Sequence, residues 1–179
     1  MQDIVSERLI IRKFKMEDAQ DLYEYLSDEQ VVKFEPYEVF SKEQAIKETE
    51  KRMNNDSFYA VCLRENNKLI GNLYLKPDDN NEFELGYVFN RNYQGFGYAT
   101  ESAIAIINYA FSSLNAKKII SMCNPLNSSS WKLLERLKMR RVDHLIKNIY
   151  FKRDMKNEPI WVDTYVYSIV KEEWISNYY

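Results

Sequence analysis

The sequence predicts an α/β (α+β) fold: about seven strands and four helices in the order βααβββαβαββ, forming a mixed central sheet with helices on its faces. Three observations carry this expectation. Apolar residues recur at helical spacing in four stretches and at strand spacing in the others. Asparagine, glycine and proline fall between those stretches, where the chain must turn. The 179 residues, 45% apolar and 29% charged, suit one domain over 1–179 with a core large enough to need no staples.

The elements follow in order. Arg8 to Phe14 is β-branched and apolar and reads as a strand. Glu17 to Asp28 carries Ala19, Leu22, Tyr23 and Leu26 at helical spacing. Ser41 and Gln44 form a capping box that opens a second helix running to about Met53. Ser57 to Glu65 and Lys68 to Lys76 flank Asn66 and Asn67, which tolerate positive φ, so a two-residue hairpin is expected. After a turn at Pro77 to Asn81 comes a strand over Glu82 to Asn90. A helix from about Tyr98 to Phe111 presents Ala99, Ala103, Ile107 and Ala110 on one face. Lys117 to Cys123 is an apolar strand, and Asn127 to Lys138 a helix carrying Trp131, Leu134 and Leu137. Val142 to Phe151 and Ile160 to Val170 are expected to close the chain as two long strands.

Composition excludes several functions. A net charge of −2 argues against a nucleic-acid partner held by a broad basic face. One histidine, His144, and two cysteines without CxxC or HExxH spacing leave no metal site to expect. Cys62 and Cys123 sit in apolar runs and read as buried thiols in a reducing, cytoplasmic compartment. The acidic, non-apolar start is no signal peptide, and no stretch is long enough to span a membrane.

Only four glycines occur, and two of them, Gly95 and Gly97, lie between a predicted strand and a predicted helix. Glycines there let the backbone present consecutive N–H groups at a helix N-terminus, where the dipole favours an anion such as a phosphate. A Walker loop is excluded because no Gly-Lys pair occurs. A dinucleotide fingerprint needs Gly or Ala where Thr100 stands and an acidic residue about 20 positions on, where Ala116, Lys117 and Lys118 are found. Gln94-Gly-Phe-Gly97-Tyr-Ala99 instead resembles the pyrophosphate loop, Q/R-x-x-G-x-G/A, of the GCN5-related N-acetyltransferases (GNAT). Ser6 to Arg12, Phe83 to Phe89, Asn127 to Ser130 and Trp161 to Tyr167 are similar to segments of the branch that includes the ribosomal-protein N-terminal acetyltransferases. The resemblance covers nearly the whole chain, in order.

That resemblance implies a mostly antiparallel sheet and direct transfer of an acetyl group from acetyl-CoA, a small-molecule donor, to an amine in a ternary complex. The acceptor is a protein N-terminus or a small molecule; no nucleic acid, membrane or metal is implied, and the protein is a monomer or homodimer. Gln94, Gly95, Phe96, Gly97, Tyr98 and Ala99 would hold the coenzyme, with Asn127 as a pantetheine contact or helix cap. The backbone of Tyr87, Val88 and Phe89 would hold the pantetheine and the acetyl oxygen. Leu134 stands where many relatives have an acidic tyrosine, and the acid's role falls to Ser130, unless its hydroxyl only caps the helix. Glu84 is the expected base and Glu35 its rival, with strand parity unresolved because one sequence does not say which face looks into the acceptor groove. His144 reads as structural, and Asp28, Glu29, Glu35, Glu38 and Glu43 as a solvated face that could also draw a cation. The rival to an enzyme is a non-catalytic acyl-CoA-binding or sensing module, and a Rossmann-type nucleotide binder is a distant third.

Overall fold

The computed structural model describes residues 2–178; Met1 and Tyr179, the ends of the expected domain span, lie outside the described residues. Among the described residues eight strands form one sheet: β1 (Ile4–Val5), β2 (Leu9–Arg12), β3 (Phe58–Leu63), β4 (Leu69–Pro77), β5 (Glu82–Phe89), β6 (Lys118–Cys123), β7 (Arg140–Arg153) and β8 (Pro159–Val170). Their order is β1-β2-β3-β4-β5-β6-β8-β7, antiparallel throughout except for the parallel β5–β6 pair. The added strand over the expected seven is β1, two residues paired with β2 and too short to stand out in a sequence.

Helices cover both faces. On one lie α1 (Ala19–Leu26), the single-turn α2 (Glu29–Val32) and α3 (Lys42–Met53), packed with Phe14, Leu22, Tyr25, Leu26 and Leu69. The capping box holds: Ser41 Oγ accepts from Gln44 N–H at 3.3 Å, and Gln44 Oε1 accepts from Ser41 N–H at 2.7 Å. On the other face α4 (Tyr98–Ser113) and α5 (Ser128–Arg136) bury Ala103, Ile106, Ile107, Ala110, Leu133 and Leu134 against the sheet.

Two expectations are corrected. The β3–β4 hairpin closes through five residues, Arg64 to Lys68, and of these only Asn67 is left-handed (φ 61°). Arg64 N–H donates to Arg8 O at 2.9 Å and its guanidinium to Ser6 O and Glu7 O, so contact with the first strands lengthens the turn. The described residues also end in a helix, α6 (Lys171–Tyr178), and not in the last expected strand. Its Trp174 is buried, and Trp174 Nε1 donates to Asn108 Oδ1 at 2.7 Å. Asn108, half-buried within the apolar run of α4, thereby finds a partner for its amide oxygen. No helix among the described residues is long and apolar enough to cross a membrane.

One break in the sheet positions the site. β5 and β6 pair only at Glu82–Lys118, Phe83–Ile119 and Glu84–Ile120. Ser121 Oγ bridges the next step by donating to Leu85 O at 2.7 Å, and beyond it the two strands part.

Candidate active site

Strand alternation decides what faces the opening. Asn90 N–H donates to Ile70 O and Asp78 N–H to Glu82 O, so residues of that parity, Val88 included, turn their backbone groups toward β4. Tyr87 and Phe89 therefore turn theirs toward β6, into the gap. Of the three residues expected to offer backbone there, Val88 differs: it lines the cleft, but its N–H and C=O turn toward β4. Side chains divide with the same parity. Phe83, Leu85, Tyr87 and Phe89 lie on the α4–α5 face, whereas Glu84, Gly86 and Val88 lie on the α1–α3 face.

The gap is the waist of one cleft of about 1220 Å³ lined from both faces. On the α4–α5 side the glycine loop meets the start of α4. Gly95 and Gly97 have φ of 83° and 84°, a left-handed conformation that glycine adopts without strain. Gly97 caps α4, so the N–H groups of its first turn lack helical partners and point outward with the positive end of the dipole. Gln94, Gly95, Gly97, Tyr98 and Ala99 line the cleft. Phe96 does not: the residue is 62% exposed, and its ring stacks on Tyr98. Gln94 Nε2 reaches back to Phe89 O at 3.4 Å.

A clamp the sequence reading missed holds this loop. Arg8 donates to Phe96 O at 2.9 Å, its guanidinium lies 4.6 Å from the Tyr98 ring centroid, and Arg8 Nη2 pairs with Glu101 at 2.7 Å. Glu101 also accepts from Ser6 Oγ and from Arg8 N–H. Despite some desolvation, those donors keep its carboxyl below the usual carboxylate range. The Ser6-Glu-Arg8 segment carried the signal, but its partner stands 93 residues away.

Across the loop, Asn127 caps α5: its Oδ1 accepts from Ser130 N–H and Ser129 Oγ. Ser130 Oγ is thus not the cap and lies 2.9 Å from Tyr87 Oη. Cys123 also lines the cleft, and burial pushes its thiol up to about 11. Leu134 is fully buried in the core, which accounts for the apolar residue there.

On the α1–α3 side the cleft is walled by the α2–α3 loop and closed by β7 and β8. Lys152 Nζ on β7 pairs with Glu38 on that loop at 3.3 Å. Glu84 is exposed on the strand, and Glu35 is half-buried in the loop. Neither has an ion-pair partner among the described residues. Desolvation raises Glu35 to about 7, with the Tyr37 hydroxyl and the Arg52 charge pulling weakly the other way. Beneath the loop, fully buried Arg52 donates to Glu48 and Asn72, and Tyr25 Oη also donates to Asn72 Oδ1 at 2.9 Å. His144 lies outside the cleft, bonded at 3.0 Å to Asp163.

A family model described as an acetyltransferase (GNAT) domain matches residues 8–140. The chain belongs to the GNAT acetyltransferase family. The uncharacterized N-acetyltransferase YnaD of Bacillus subtilis (strain 168) is 38% identical over 96% of this chain and 98% of its own. A GNAT-family acetyltransferase crystal structure from Bacillus anthracis is 36% identical, with TM-score 0.87, covering 96% of this chain and 100% of that one. The Vibrio fischeri ribosomal-protein-S5-alanine acetyltransferase shares the fold alone, at 20% identity and TM-score 0.78 over 97% of this chain and 99% of that one. As a GNAT member the chain is an acetyl-CoA-dependent acyltransferase. The cleft thus runs between the glycine-capped start of α4 on one side of the parted strands and Glu35 and Glu84 on the other.

Proposed function

We propose that a single N-acetyltransferase domain spanning 1–179 passes the acetyl group from acetyl-CoA directly to a primary amine in a ternary complex, in the cytoplasm. The observation that carries this reading is the through-sheet cleft, which joins a phosphate-type loop to a carboxylate-lined chamber at the parted strands. The loop of Gln94, Gly95, Gly97, Tyr98 and Ala99 holds the pyrophosphate by backbone N–H groups. The Tyr87 and Phe89 backbone aligns the pantetheine and receives the developing oxyanion. Asn127 fixes the start of α5, and Ser130 hydrogen-bonds the departing sulfur. Direct transfer is supported by the Cys123 thiol: protonated at neutral pH, it is a poor acyl carrier.

The amine loses its proton on the α1–α3 side. Glu84 and Glu35 share that chamber. The raised proton affinity of Glu35 supports it as the base at neutral pH, with Glu84 across the chamber drawing the ammonium in. The amine is a protein N-terminus or a small molecule. A screen of both kinds of acceptor, read by free-thiol release, tests the assignment. CoA binding with no thiol release from any amine would favour the non-catalytic sensing module.

Two smaller results are expected. Ser130→Ala should lower kcat by ~10²-fold with acetyl-CoA affinity kept. Because Asn127 is the cap, its melting temperature should barely move; unchanged turnover would remove Ser130 from the chemistry. Arg8→Ala should weaken CoA binding by about tenfold, since it frees Phe96 O and leaves Glu101 without its cation. Calorimetric titration checks it, and an unchanged affinity would make the clamp irrelevant to the loop.

A further inference from the structure

Tyr87 carries its backbone into the gap and its side chain to the other end of the same opening. Its hydroxyl donates to Ser130 O at 3.0 Å and lies 2.9 Å from Ser130 Oγ. Both side chains line the cleft. A phenol has one proton, so two arrangements share these distances. In one, Tyr87 donates to Ser130 O and accepts from Ser130 Oγ–H. In the other, Tyr87 donates to Ser130 Oγ, and the serine proton is free to turn into the cleft. We propose that Tyr87 is a positioning residue for acetyl transfer: its hydroxyl switches to Ser130 Oγ and aims the serine proton at the departing sulfur.

This inference rests on the reading of Ser130 above. A serine in the first turn of a helix otherwise spends its hydroxyl on a cap or on water. Here Asn127 takes the capping duty, and a tyrosine from the adjoining strand takes the hydroxyl. The alternative, in which Tyr87 itself supplies the proton, fails on energetics. Burial holds its phenol well above the ordinary range, with the Ser130 bond pulling back only in part, and an ordinary thiol titrates near 8.5. Proton transfer from that phenol to a thiolate runs uphill, whereas donating a hydrogen bond costs no charge separation. The balance is simple. The carbon–sulfur bond breaks and its electron pair stays on sulfur. Ser130 Oγ–H donates to that sulfur, and Tyr87 Oη–H donates to Ser130 Oγ. The proton that sulfur finally gains comes from water, and the one lost by the amine leaves through the base.

The test is a double-mutant cycle in acetyl transfer, with CoA affinity and melting temperature measured alongside. Tyr87→Phe keeps the ring and should lower kcat about tenfold, with KM for acetyl-CoA little changed. In the Ser130→Ala background the same change should cost almost nothing, because no hydroxyl remains to be aimed. Equal costs in both backgrounds, or a lower melting temperature with normal kcat, would overturn the proposal. If Tyr87→Phe does not fold, difluorotyrosine at 87 carries the test: a more acidic hydroxyl should raise kcat, and an unchanged or lower kcat would overturn it. Failure of the parent reading looks different: Ser130→Ala itself would be silent, or the unaltered protein would turn over no amine.

Discussion

Gly97→Asp is expected to abolish the thermal protection that CoA confers on the native protein. Two effects act together. At φ 84° any side chain strains the backbone, aspartate and asparagine less than most, and an added Cβ comes to 3.4 Å from Arg8 Nη2. The carboxylate then sits at the helix start where the pyrophosphate is proposed to bind. Two like charges about 4 Å apart near a surface repel by about 4 kcal/mol, so affinity should fall by at least ~10²-fold. Gly97→Asn is the control: it tolerates the same φ and adds no charge, so it should keep part of the protection. The measurement is the shift in melting temperature with added CoA. Equal shifts for the unaltered protein and Gly97→Asp would remove the loop from coenzyme binding.

Glu35→Gln is expected to lower kcat/KM by ~10²-fold near pH 8 and to erase an inflection near pH 7. In the unaltered protein the rate should rise as Glu35 ionises through about 7 and rise again as the acceptor amine, with an ordinary pKa near 10, loses its proton. Glu84→Gln should leave the inflection in place and raise mainly the acceptor KM. If the inflection follows Glu84, the strand carboxylate is the base; if it survives both substitutions, water carries the proton.

Stability offers a second check with a definite sign. Folding raises Glu35 from 4.5 to about 7, so the folded form holds the proton more tightly than the unfolded chain. That contribution is fully present below pH 4.5 and is lost as pH rises through about 7. Glu35→Gln should therefore raise the melting temperature at pH 8 and leave it nearly unchanged at pH 4. No difference at pH 8 would mean that the carboxylate is not desolvated.

The sequence by itself determined what depends on neighbours along the chain. The Ser41–Gln44 capping box, the left-handed glycines before α4 and the helical spacing of Ala103, Ile107 and Ala110 are local, because capping, backbone strain and periodicity act within a few residues. That was enough for the fold class, for the element order apart from β1, α2 and α6, and for the glycine turn that starts α4. Tertiary structure decided whatever depends on partners far apart. The parity of Glu84 is set by which edge of β5 meets β4, and alternation alone leaves the two faces equivalent. The serine's partner is a tyrosine 43 residues earlier, and the loop's clamp is an arginine 88 residues before the carbonyl it holds. Glu35 differs from the other acidic residues around it only in the surface that folding packs against it, and desolvation has no sequence signature. Helix α6 was missed for the same reason: a weakly patterned terminal segment becomes a helix because Trp174 finds a pocket and Asn108 a partner.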